Sequence, residues 1–239
     1  MKIIKHIPNT ITSMNLLCGV LGVIFTFQGA LDLAFYLMIL AAVFDFLDGF
    51  SARMLKAYSP MGKELDSLAD LITFGFLPSI MLYKCMDLYH PGEWYCFLPL
   101  IIVIFSALRL AKFNIDERQS ENFLGLATPS CALLCGSLIY SADQGAASIA
   151  SIVHGAYFIP VISVILAFLL ISEIPMFSLK FKKGSVYNRI RICYIAIVAA
   201  IALTTFILKI NWGYIILLSL TCYIAFNLLI ACFSFKSDK

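Results

Sequence analysis

Four aspartates carry the chemistry this chain offers most plainly. They lie in the stretch DFLDGFSARMLKAYSPMGKELDSLAD, residues 45–70, whose fixed points read D-x2-D-G-x2-A-R-x8-G-x3-D-x3-D. Asp45 and Asp48 are three residues apart and Asp66 and Asp70 four apart, so on a helix each pair shares a face. The surrounding sequence is almost all hydrocarbon, where an isolated aspartate near a helix centre costs about 2.5–3.5 kcal/mol on insertion scales. Carboxylates converging there need cations to neutralise them. Oxygen-only ligands favour hard ions such as Mg²⁺ or Mn²⁺. A carboxylate-held metal pair beside an arginine, here Arg53, suits phosphoryl transfer, because metals and guanidinium balance phosphate charge. The alternative for the same residues is two amphipathic helix ends with solvated acidic groups.

Between the acidic pairs, Gly49, Ala52 and Gly62 are small. A glycine inside a helix costs up to about 1 kcal/mol against alanine, so it usually has a reason. Close approach of a ligand to the backbone is one such reason, and close packing of membrane helices is another. Upstream, PNTITSMN puts Asn9, Thr12 and Asn15 on the first apolar segment, to line a pocket, with capping by Asn9 or Thr10 as the competing account. Downstream, SALRLAKFN holds Arg109 and Lys112 three apart on one face. They are candidates for a phosphate or a carboxylate, or for snorkelling to the interface. His6, His90 and His154 show no ligand spacing.

The elements that must position these groups are membrane spans. Of the 239 residues, 62% are hydrophobic and only 13% charged, and mean hydropathy is +0.94. A soluble globular domain cannot hide that much apolar surface. The first apolar run leads into a polar motif rather than a small-residue cleavage site, so it is kept as a helix and not a signal peptide. Apolar runs near the required length of about 20 residues fall at about 10–29, 32–54, 64–83, 96–113, 123–142, 155–176, 192–209 and 212–234. The fold expected is therefore an all-α, polytopic membrane helix bundle of about eight transmembrane helices, preceded by a short interfacial arm, MKIIKHIP.

Eight spans put both termini on one side. Of the 17 Lys and Arg residues, only Lys84 and Lys209 then fall on the other side. The positive-inside rule makes both termini and the aspartate stretch cytoplasmic. The chain shows no internal repeat and no soluble or nucleic-acid-binding domain, and reads as a single membrane domain over 1–239. Six of the eight cysteines lie in apolar runs and act as small hydrophobes, while Cys85 and Cys96 flank a predicted external loop, as a disulfide or as free thiols.

The Asp45–Asp70 pattern resembles the signature of the CDP-alcohol phosphotransferase family, with the likeness strongest over residues 8–80 and extending to about 140. The resemblance implies a core at 8–140; the remainder, 177–239, is a basic loop and two helices with almost no intramembrane charge, which read as scaffold or as dimer surface in a homodimer. It implies a two-metal site of Asp45, Asp48, Asp66 and Asp70 on the diphosphate of a CDP-linked lipid, with Asp70 as general base. Gly49, Ala52 and Gly62 would admit the nucleotide, Arg53 would meet its phosphate, and Asn9, Thr12 and Asn15 would line its pocket. Among the family's acceptors, IPNTITSMNLLCG, GKELDSLADLITFGFLP and ALRLAKFN are similar to the bacterial serine-accepting enzymes. Leu71 stands where glycerol-phosphate and inositol-phosphate enzymes carry a basic residue, which favours an unphosphorylated alcohol. Ala127, in LGLATPS, departs from the proline usual in the serine enzymes.

The implied substrates are CDP-diacylglycerol and L-serine, in a bacterial cytoplasmic membrane, with products phosphatidylserine and CMP. Arg109 or Lys112 would hold a lipid phosphate or the serine carboxylate. A phosphatidylglycerophosphate synthase is the alternative within the family. A divalent-cation transporter is the alternative outside it, though one that has no use for Arg53 or the Gly49/Gly62 spacing.

Overall fold

The computed structural model describes residues 6–116, 123–144, 147–177 and 187–237. The expected interfacial arm lies largely outside these residues, as does most of the basic loop SLKFKKGSVYNRIR. The described chain is a bundle of ten α-helices: α1 Ile7–Phe27, α2 Leu31–Met54, α3 Pro60–Asp70, α4 Leu77–Tyr89, α5 Ile101–Ile115, α6 Thr128–Asp143, α7 Ala147–Val153, α8 Phe158–Ile171, α9 Tyr187–Ile207 and α10 Gly213–Ser237. Two short strands, β1 Phe123–Leu124 and β2 Pro175–Met176, pair antiparallel.

Local chemistry sets the helix ends around the aspartates. α1 closes in a Schellman turn, with Gly29 N–H bonded to the Thr26 carbonyl, Ala30 N–H to that of Phe25, and Gly29 in the left-handed region at φ 84°. α2 closes the same way, Lys56 N–H to Arg53 and Ala57 N–H to Ala52, with Lys56 at φ 51°. Ser59 then caps α3 by accepting the Gly62 N–H at 3.0 Å, and Pro60 occupies the first turn, where its missing N–H costs nothing. This tight reversal carries the chain from the end of α2 into α3, which packs on α1.

α3 runs into α4 through a π-helical turn, Leu71–Phe76, so that Pro60–Tyr89 is one continuous rod. The turn begins directly after Asp70. It shifts the register that follows and points Thr73, Phe74 and Gly75 inward. Thr73 lies so close to α1 that a Cβ on Gly19 would collide with it. Small residues at helix crossings let backbones approach in this way where no hydrophobic force drives association.

Among the described residues, six helical segments are long and apolar enough to cross a membrane: Ile7–Phe27, Leu31–Met54, Pro60–Tyr89, Trp94–Ile115, Ile190–Ile207 and Gly213–Cys232. The chain is thus a polytopic helical membrane protein. The expected fifth and sixth spans differ from the expectation. The fifth begins as strand β1, and its helix α6 has 16 residues. The sixth is cut to the 14 residues of α8, with α7 before it and β2 after it. At 1.5 Å per residue these helices are only about 24 and 21 Å long. α6 can be short because it touches little lipid: Cys131, Cys135, Gly136, Ile139 and Tyr140 are all buried among α2, α4 and α10.

Helix ends gather in two sets. At the aspartate end, Lys63 Nζ donates to the Asn114 carbonyl at 2.8 Å, joining the start of α3 to the end of α5. The β1–β2 pair joins the approach to α6 with the exit from α8. At the far end, Trp212 stacks on Phe35 and Tyr36 of α2, and the Tyr36 and Tyr140 hydroxyls are 2.8 Å apart. His90 Nε2 lies 2.8 Å from the His154 carbonyl there. Cys85 and Cys96 are buried free thiols, and Cys96 donates to the His90 carbonyl.

Candidate active site

The α2–α3 reversal brings the two acidic faces together. One carboxylate oxygen from each of Asp45, Asp48 and Asp66 lies within 4.8 Å of the others. Asp70 sits one turn beyond Asp66, at the last residue of α3, and is buried, as is Asp48. Among the described residues no lysine or arginine forms an ion pair with a carboxylate of the cluster.

α1 supplies the polar partners. Thr12 is buried and its hydroxyl donates to Asp48 Oδ2 at 2.6 Å. Its 3.0 Å approach to the Pro8 carbonyl is the longer alternative for the same proton. Asn15 Nδ2 donates to Asp70 Oδ1 at 3.3 Å, and Thr73 Oγ1 donates to the Asn15 carbonyl at 3.2 Å. Asp66 Oδ1 is buried with no hydrogen-bond partner. An orphaned carboxylate oxygen within an all-oxygen donor set of three converging carboxylates fits a hard divalent cation. Asp45, Asp48 and Asp66 are the residues that would hold it, with Asp70 beside them.

A cavity of about 480 Å³ opens next to the cluster. α1 lines it with Pro8, Asn9 and Thr12; α2 with Asp48, Gly49 and Ala52; the turn and α3 with residues 57–60, Gly62, Lys63 and Asp66. A Cβ on Gly49 would meet nothing within 4 Å, so its place faces open cavity, whereas one on Gly62 would come within 3.0 Å of Asn9 Oδ1 and Ser59 Oγ.

The other expected residues take different places. Asn9 and Thr10 cap nothing: the N-cap of α1 is His6, three residues before Asn9, and Asn9 is in the cavity wall. Asn15 is not in that wall and turns to Asp70. Arg53 is exposed, folds back to donate from Nε to the Gly49 carbonyl at 3.0 Å, and is also outside the wall. Arg109 and Lys112 part company. Lys112 is half exposed and bonds Glu173 at 3.2 Å. Arg109 is 6% exposed, so it does not snorkel. Its Nε donates to the Leu126 carbonyl, and its Nη2 is buried without a hydrogen-bond partner.

Sequence reasoning missed two contributors: the Leu126 carbonyl and the π turn. Nothing in local spacing signals either.

Comparison with known proteins adds an independent line. The family model described as CDP-alcohol phosphatidyltransferase matches residues 5–170. A CDP-diacylglycerol–serine O-phosphatidyltransferase of Bacillus subtilis is 38% identical over 125 residues, covering 52% of this chain and 70% of the relative. One from Mycobacterium leprae is 31% identical over 231 residues, covering 93% of this chain and 74% of the relative. An archaetidylserine synthase of Methanothermobacter thermautotrophicus is 34% identical over 134 residues, covering 55% and 56%.

Proposed function

The chain belongs to the CDP-alcohol phosphatidyltransferase family, and from that premise we propose that it transfers the phosphatidyl group of CDP-diacylglycerol to L-serine, giving phosphatidylserine and CMP. The relatives named above are serine-accepting enzymes, which supports the acceptor. The observation that carries the reading is the pairing of an acidic cluster with one buried arginine. Arg109 is buried and keeps an Nη2 without a hydrogen-bond partner, and a guanidinium so placed is a natural receptor for a carboxylate.

In this reading Asp45, Asp48, Asp66 and Asp70 hold two divalent ions, Mg²⁺ or Mn²⁺. Bound there, the ions supply neutralisation of the diphosphate and of departing CMP. The chain's own residues do the rest. Asn9, Thr12, Gly49, Ala52 and Gly62 form the wall against which the nucleotide lies, and Arg53, at its rim, meets a phosphate by unfolding from Gly49. Thr12 and Asn15 orient the carboxylates of Asp48 and Asp70. Arg109 fixes the serine carboxylate, so that the hydroxyl points at the phosphorus bearing the diacylglycerol. Lys112, tied to Glu173, stands outside this step. Asp70 takes the hydroxyl proton as the new O–P bond forms and the bond to CMP breaks. A single in-line displacement needs no covalent enzyme intermediate.

The bundle is read as one membrane domain, with eight crossings and both termini cytoplasmic. Two points support this: eight crossings put all of the 17 Lys and Arg except Lys84 and Lys209 on one side, and successive helix ends alternate between the aspartate end and the Trp212 end. The site then faces a cytoplasmic acceptor in a bacterial cytoplasmic membrane, and the protein acts as a homodimer. The test of the reaction is to offer purified protein CDP-diacylglycerol with serine, glycerol 3-phosphate, inositol phosphate or choline, and to identify the lipid by mass spectrometry. Phosphatidylserine is expected; phosphatidylglycerophosphate as the main product would overturn the acceptor.

A further inference from the structure

α10 lies beyond the family match at 5–170 and carries a polar side chain deep in an apolar span. Asn227 is 1% exposed. Its Nδ2 donates to the Tyr223 carbonyl one turn back at 2.8 Å, which leaves its Oδ1 to accept the Phe177 N–H, also at 2.8 Å. The Tyr223 hydroxyl donates to the Phe177 carbonyl at 3.0 Å. Two side chains of α10 thus grip both backbone groups of one residue, much as a neighbouring strand would. The Phe177 ring is held at the same time by edge contacts with Tyr194 and Tyr223.

Phe177 directly follows β2, and β2 pairs with β1. Beyond that ladder Gly125 N–H bonds the Ile174 carbonyl and Leu126 N–H bonds the Leu169 carbonyl, both at 2.9 Å. Gly125 adopts φ +74°, and a Cβ there would come within 2.7 Å of the Leu170 and Ser172 carbonyls, so the two segments are in close backbone contact. The next carbonyl, that of Leu126, receives Arg109 Nε. A continuous set of contacts therefore runs from α10, through Phe177 and the β clasp, to the buried guanidinium of Arg109.

We propose that Asn227 and Tyr223 are positioning residues for Arg109: α10 holds the β1–β2 clasp, and the clasp sets the Leu126 carbonyl that aims the guanidinium. The C-terminal hairpin is then part of the acceptor site and more than scaffold. This rests on the reading of Arg109 as the receptor for the serine carboxylate. In a purely structural role the same bonds would satisfy buried backbone groups, and their loss would lower stability and affect both substrates alike. A positioning role affects the acceptor alone.

The experiment measures KM for serine and for CDP-diacylglycerol in full-length wild type, Asn227→Ala, Tyr223→Phe, Arg109→Lys and the Arg109→Lys combinations, each checked by size-exclusion in detergent. Tyr223→Phe removes one hydroxyl and keeps the ring, so it decides the matter should Asn227→Ala not fold. Each α10 variant is expected to raise the serine KM about fivefold, the effect of one neutral hydrogen bond, with the lipid KM unchanged. Added to Arg109→Lys, it is expected to have little further effect, because both act through one group. An unchanged serine KM, an equal rise in both KM values, or full additivity would overturn the proposal. If Arg109→Lys raises the serine KM and the α10 variants do not, the acceptor reading stands and the clasp fails. No serine turnover in wild type overturns both.

Discussion

Replacing Thr12 with valine isolates one bond at the centre of the site. Valine has nearly the shape of threonine, so the buried position leaves no cavity, and α1 keeps its packing on α2. What is lost is the 2.6 Å hydrogen bond to Asp48 Oδ2. A bond to a charged acceptor contributes about 1.5–3 kcal/mol, and 1.4 kcal/mol is about tenfold in rate. Since Asp48 belongs to the converging trio, the bond orients a proposed metal ligand, and removal of such a partner typically costs about 10–100-fold in metal affinity or activity. Thr12→Val should therefore lower kcat/KM for CMP release by about one to two orders of magnitude, and should raise the Mn²⁺ concentration needed for half-maximal rate. Thr12→Ser keeps the hydroxyl and should stay close to wild type. In an Asp48→Asn background Thr12→Val should add little, because the ligand it serves is already gone. Wild-type kcat/KM and unchanged metal dependence in Thr12→Val would refute the claim that α1 orients the carboxylates.

Asn in place of Asp45, Asp48, Asp66 or Asp70 keeps volume and removes charge; each variant should turn over at less than about a tenth of the wild-type rate, since a metal ligand or base is worth more than about 1.4 kcal/mol. A residue whose variant exceeds that level in the CMP-release assay leaves the site. Gly49→Ala places a methyl where no protein atom lies within 4 Å, so melting in detergent should be unchanged or slightly raised. The KM for CDP-diacylglycerol should rise about fivefold or more, the overpacking cost of one methyl against a ligand; an unchanged lipid KM removes Gly49 from the nucleotide wall. A single cysteine placed between residues 180 and 191 of a cysteine-free variant should resist an impermeant thiol reagent in intact cells, and ready labelling would overturn the cytoplasmic assignment.

Much of this was legible because membrane helices write their periodicity plainly. Asp45/Asp48 and Asp66/Asp70 were each on one face by spacing alone, and the Ser59-Pro60 start of α3 is a strong local signal, though the expected span began four residues later. What spacing cannot show is contact at long separation. Thr12 and Asp48 are 36 residues apart and Asn15 and Asp70 are 55 apart, so only packing could show that α1 touches the acids themselves. The π turn Leu71–Phe76 carries no internal proline, and its register shift follows from packing of Thr73 on α1 and Gly75 on Ser106. Lys112 and Arg109 looked equivalent in sequence; burial separated them, because Arg109 reaches the Leu126 carbonyl inside the bundle while Lys112 reaches an exposed Glu173. α6 and α8 fell short of the expected spans for a related reason: residues that read as apolar run, Phe123–Leu124 and Pro175–Met176, were taken into a strand pair instead.

The central claim is that the aspartate cluster drives metal-dependent transfer of a phosphatidyl group to serine. It is tested most directly by following CMP and lipid product together, in purified protein given CDP-diacylglycerol and L-serine, first stripped of metal and then supplied with Mg²⁺ or Mn²⁺. The account predicts one phosphatidylserine for each CMP, a requirement for both serine and metal, and loss of both products in Asp66→Asn. CMP release that needs no serine, or that survives removal of metal undiminished, would contradict it.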